Sequence, residues 1–104
     1  MTLTNWPSGW ALKAGENSRH RNAVFTLRCL KDLEYWTRKD PRRAPRVFKL
    51  IRATLRDPFG GVGKPEPLRG ELSGRWSRRI DSEHRLTYRV TDSQVRFLTA
   101  RNHY

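Results

Sequence analysis

RWSRRIDSEHRLTYRVTDSQVRFLTAR, residues 75–101, is the stretch from which the fold is read. It holds three β-rich runs, 75–80, 84–91 and 94–101, separated by Asp81-Ser82-Glu83 and Asp92-Ser93, which are turn-forming clusters. Two consecutive hairpins are expected. Successive strand residues point to opposite faces, so His84, Leu86, Tyr88 and Val90 share one face and Arg85, Thr87 and Arg89 the other. A three-residue loop then sets Ile80 against His84, Arg79 against Arg85 and Trp76 against Tyr88. Apolar residues meet apolar ones in this register, and a slip of one residue breaks the match. Arg79 opposite Arg85 is a like-charge pair that costs stability on an empty surface. An anion between the two would relieve it.

Upstream, Gly60, Gly61 and Gly63 mark a turn after Asp57-Pro58. Before it, Ala44, Val47, Phe48, Ile51 and Leu55 form an apolar stripe on a helix reaching Arg56, with Arg42, Arg46, Lys49, Arg52 and Arg56 opposite. That basic stripe reads as a solvated face or an RNA-facing one. The helix begins either at the Asp40-Pro41 cap or near Ala44, with Pro45 in the first turn, where a missing N–H costs nothing. LKDLEYW, 30–36, has helical spacing at Leu30, Leu33 and Tyr35/Trp36, and AVFTL, 23–27, reads as a first strand. The fold class is therefore α+β: a small, mainly antiparallel sheet packed by two N-terminal helices. Residues 23–104 are expected to form one domain. Residues 1–22 have no apolar period and read as a disordered or loosely docked extension, or else as an arm that adds contacts to a partner.

The chain has 104 residues, enough for a single small core. Its formal charge is +12, and 17 of its 22 basic residues are Arg. Such an excess favours a polyanionic partner, and Arg favours phosphate because its fork pairs two oxygens and stacks on bases. The alternative is a solvated basic surface with no specific partner. No apolar run approaches a membrane-spanning length, and no signal-peptide pattern is present, so a cytoplasmic chain without membrane contact is expected. Cys29 stands alone, without disulfide partner or metal-ligand spacing, and reads as a small buried apolar residue rather than a thiol nucleophile. No metal site or cofactor is expected.

Five side chains are candidates for chemistry. Glu66, between Pro65 and Pro67, sits on a stiff extended platform. It is either a salt-bridge partner for one of many arginines or a general base for a ribose 2′-hydroxyl. Arg85, with Arg79 beside it, is a candidate cradle for a phosphate and the charge that grows on it in the transition state, or part of a surface arginine ladder. His103 is the one histidine in a plausible acid position, because His84 points toward the expected core. Tyr104 offers a phenol and the chain's carboxylate, for positioning, proton donation or stacking. Both terminal residues serve one site only if the chain bends past Arg101; their other reading is a pair of loose terminal residues.

GKPEPL (63–68), LSG-x-WSRRI (72–80), EHRL-x-Y-x-VTD (83–92) and the closing R-x-HY (101–104) resemble the YoeB/Txe branch of the RelE-like bacterial toxins in order and spacing. The likeness covers residues 30–104 well and leaves the first 22 residues unmatched. It implies a microbial-ribonuclease-like α+β fold and the toxin of a type II toxin–antitoxin pair. It also implies a ribosome-dependent endoribonuclease that cuts mRNA in the A site of the small subunit without a metal, inhibiting translation. By the same resemblance Glu66, Arg85, His103 and Tyr104 are catalytic, and Lys64, Arg69 and Arg79 make supporting RNA contacts. The implied partners are a YefM-like antitoxin, the ribosome and mRNA, operator DNA through the antitoxin, and a second copy in a homodimer. Two other readings of the same residues are a non-enzymatic RNA-binding module and an inactive toxin that works only with its antitoxin in operon repression.

Overall fold

A computed structural model describes residues 20–102. The expectations for His103, Tyr104 and residues 1–19 lie outside the described residues. In chain order the elements are β1 (Asn22–Phe25), α1 (Leu27–Lys39), α2 (Ala44–Arg56), β2 (Glu66–Pro67), a 3₁₀ turn (Gly70–Leu72), β3 (Trp76–Arg79), β4 (Arg85–Val90) and β5 (Gln94–Thr99). The strands form one five-stranded sheet in the order β1-β5-β4-β3-β2. Only the β1–β5 pair is parallel. The expected α+β architecture is the observed one, and β3 meets β4 in the expected register: Trp76 faces Tyr88 and Arg79 faces Arg85.

The end of the first strand and the start of the first helix differ from the sequence reading, for one local reason. The first strand ends at Phe25 because Thr26 turns to cap α1, its Oγ1 accepting the Cys29 N–H at 3.0 Å. The helix therefore starts a turn earlier than the spacing predicts. Its buried stripe is Cys29, Asp32, Leu33 and Trp36, and Leu30 is left half exposed. In α2 the later start is correct, with Pro45 in the first turn, while Asp40 and Arg43 close the preceding turn. Its buried side is Ala44, Val47, Leu50, Ile51 and Thr54, whereas Phe48 is exposed. Lastly, β2 is too short to carry a period. Glu66 pairs with Ser77 as the sheet's edge, where prolines cost no ladder bond.

Both helices pack on one face of the sheet. Cys29, Trp36, Val47 and Leu50 meet Leu86, Tyr88, Val95 and Phe97 there, and burying each large apolar side chain contributes roughly 1.5–3 kcal/mol. Burial pushes the Cys29 thiol up to about 12, so it is inert at neutral pH. Arg78 points into this same face and is fully buried. Its guanidinium donates to the carbonyls of Val62 (2.9 Å), Gly60 (2.8 Å) and Asp57 (2.5 Å) and to the Tyr88 hydroxyl (3.2 Å). It thus fastens the glycine turn that leads to Glu66. Gly63 lies so close beneath this turn, at a φ of +90°, that a Cβ would stand 2.8 Å from Leu50 Cδ2.

Candidate functional site

The other face of the sheet carries the polar residues that alternation sets opposite the core. Glu66 pairs with Ser77, Ser77 with Thr87, and Thr87 with Thr99, in one row across four strands. Arg79 and Arg85 form the next row, and Arg89 faces Arg96 toward the far end. Thr87 and Thr99 join their hydroxyls at 2.7 Å, beside a bulge in β5. The Ser77 hydroxyl is buried with no hydrogen-bond partner among the described residues.

Arg85 Nη1 donates to Glu66 Oε1 at 3.2 Å, and the pair is asymmetric: the Arg85 side chain is 18% exposed, Glu66 51%. An exposed carboxylate held by a recessed arginine can turn one oxygen to an arriving hydroxyl while the guanidinium fixes a positive charge beside the place an anion would take. The Arg79 guanidinium is exposed and makes no ion pair among the described residues, so it is available to the same anion. Lys64 and Arg69 bracket Glu66 and are both exposed. Lys64 has a left-handed φ of +51°, a strained conformation for a lysine that costs on the order of 1 kcal/mol.

The β5 strand ends at Thr99, short of the expected 101, because the chain bends there. Asn102 takes a φ of +64°, and its carbonyl accepts the Arg85 N–H at 2.8 Å. The bend past Arg101 that the sequence left open is thus present, and the last described residue lies against the Arg85 backbone. Sequence reasoning gave His84 to the core. Its ring does meet Trp36 edge-on at 5.0 Å, but Nδ1 accepts the Asn102 N–H at 2.7 Å. Asp81, before it, opens the β3–β4 turn. Burial would raise its carboxyl, but the N–H groups of His84 and Glu83, with the nearby His84 and Arg43, outweigh burial and hold it below the usual value of 3.8.

Among the described residues no group of three or more His, Cys, Asp or Glu side chains could hold a metal ion, and no helix is long and apolar enough to cross a membrane.

Two helices on one face of a five-stranded sheet, with arginines and a carboxylate on the other, define the class of small RelE-like toxins. The chain belongs to the YoeB-like toxins of bacterial type II toxin–antitoxin systems, whose family profile matches residues 25–104. A Mycobacterium bovis protein named Toxin YoeB is 52% identical over 84 residues, which span 81% of this chain and 99% of that one. The YoeB/ParE toxin from Agrobacterium tumefaciens superposes with a TM-score of 0.75 at 44% identity, covering 80% of this chain and 99% of its own. A YoeB–YefM complex from Staphylococcus aureus contains a chain that superposes with a TM-score of 0.72 at 32% identity, covering 81% and 98%.

Proposed function

We propose that this toxin is a ribosome-dependent endoribonuclease whose reaction takes place on the open sheet face between Glu66, Arg85 and Arg79. The observation that supports it most is the 3.2 Å contact between an exposed carboxylate and a recessed guanidinium on a face rich in arginine. Glu66 removes the proton from a ribose 2′-hydroxyl, and that oxygen attacks the adjacent phosphorus. Arg85 and Arg79 stabilise the charge that collects on the phosphoryl oxygens. As the P–O5′ bond breaks, a proton passes to the leaving oxygen from His103 or Tyr104, which follow directly on the turn at Asn102. The products are a 2′,3′-cyclic phosphate and a 5′-hydroxyl, with no metal required. Lys64 and Arg69 contact the strand on either side of the base.

The physiological substrate is mRNA in the ribosomal A site, and the surrounding arginines hold ribosomal RNA. A YefM-like antitoxin, of the kind seen with the Staphylococcus aureus relative, covers the basic surface and silences it. Programmed ribosomes with purified, antitoxin-free protein and Glu66→Gln test the reading by primer extension. A discrete cut by the native chain should fall about two to four decades in the variant, with ribosome affinity unchanged. Binding without a cut by either protein would move the chain to a non-enzymatic RNA-binding module.

A further inference from the structure

The three residues after β5 have left the sheet, and a chain end of that kind ordinarily frays. Here nearly every backbone polar group in it is held. Asp32 Oδ2 accepts the Ala100 N–H at 3.0 Å, and Trp36 Nε1 donates to the Ala100 carbonyl at 2.6 Å. Arg28 Nη2 donates to the Arg101 carbonyl at 3.4 Å while its Nε grips Asp32 at 3.0 Å. The Arg101 guanidinium lies 3.6 Å over the Tyr35 ring. So α1 fastens Ala100 and Arg101, with Asp32 buried to do it. A buried carboxylate is retained only where its hydrogen bonds repay its desolvation, and these are the bonds it makes.

The last residue before the two terminal ones is held differently. Asn102 is clamped between its N–H on His84 Nδ1 and its carbonyl on the Arg85 N–H, at 2.7 and 2.8 Å. His84 and Arg85 are neighbours, so the entry to β4 fixes both sides of a left-handed turn. Because Nδ1 accepts, the neutral ring carries its proton on Nε2, toward the Glu83 carboxylate at 3.8 Å.

We infer that His84 is a positioning residue for the reaction: its Nδ1 fixes the turn at Asn102, which sets the backbone of Arg85. This rests on the proposal that the open face cleaves RNA. His84 does not touch substrate. Without its acceptor the Asn102 turn loses the partner that offsets its left-handed conformation, and Arg85 in the phosphate cradle loses a fixed point of its backbone. A misplacement of about 1 Å in such groups costs on the order of 10²-fold in rate.

Packing and hydrogen bonding at His84 can be separated by substitution. His84→Phe retains an aromatic ring against Trp36 and removes the acceptor. His84→Asn gives up the ring and retains a carbonyl oxygen close to the place of Nδ1. On programmed ribosomes the full-length His84→Phe chain should lose roughly 10- to 100-fold in kcat with KM within about twofold of native. His84→Asn should recover most of that loss even where its melting temperature is the lower of the two. Amide exchange of Asn102 should follow the same order, protected in the native chain and in His84→Asn and fast in His84→Phe. Native kcat in His84→Phe, or equal losses in both variants, overturns the inference while leaving the nuclease reading intact. A native chain that cuts nothing overturns both.

Discussion

At the scale of single residues, the site depends on what a guanidinium can do that an ammonium cannot. Arg85 holds Glu66 through one N–H of a planar, forked cation, whereas a lysine would put one compact charge in its place. Arg79 directly opposite Arg85, with Arg89 facing Arg96 on the far side of Thr87, makes this face costly to leave without an anion. Arg85→Lys should therefore bind ribosomes about as well as the native chain, yet cleave at least about tenfold more slowly, and Arg85→Ala should lose two to three decades. Single-turnover cleavage at saturating ribosome concentration measures this. A native rate in Arg85→Lys would mean that charge alone is used there, and the recessed geometry would lose its meaning.

At the scale of elements, the β3–β4 hairpin was legible because both of its strands alternate and its loop is short, which leaves one register that matches apolar to apolar. The same alternation sends Arg78 to the core side, a consequence hidden by the habit of assigning every arginine to the solvent. Its partners are carbonyls of an irregular turn, and no sequence period marks those. The start of α1 at Thr26 was likewise masked by a β-rich run that a single capping hydroxyl interrupts. Glu66 and Arg85 were recognised as candidates from a proline-framed carboxylate and strand parity. The roles of Asp32 and His84 were not legible, since both act on a chain segment at least 18 positions away. Arg78→Met tests the element-scale argument. It fills similar space and strands the carbonyls of Asp57, Gly60 and Val62, at a cost of about 3 kcal/mol. For a domain of this size that lowers Tm by roughly 12–24 °C in a thermal melt. A fall of only a degree or two would show that the turn holds itself.

At the scale of the whole molecule, the described cations lie on both faces of the fold. The sheet face carries Arg79, Arg85, Arg89 and Arg96. On the helical side, Arg46 is spent on the carbonyls of Ile80 and Arg79. The side chains of Lys49, Arg52 and Arg56 are exposed and, among the described residues, make no ion pair or hydrogen bond. With Asp57 and the Gly60–Val62 backbone they line a cavity of about 460 Å³. A protein that reads one RNA strand on its sheet needs only one face, whereas a protein lodged inside a ribosome is surrounded by phosphate. The salt dependence of binding separates the two situations, because each phosphate contact adds about 0.7–0.9 to the slope of log K against log[salt]. In a Glu66→Gln background, chosen so that binding is read apart from cleavage, Lys49→Ser/Arg52→Ser/Arg56→Ser should lower the magnitude of that slope by about 2 for ribosomes and by about 0 for a short single-stranded RNA. An unchanged slope for both would make the helical cations a solvated face, and an equal drop for both would place the short strand on the helices rather than on the sheet.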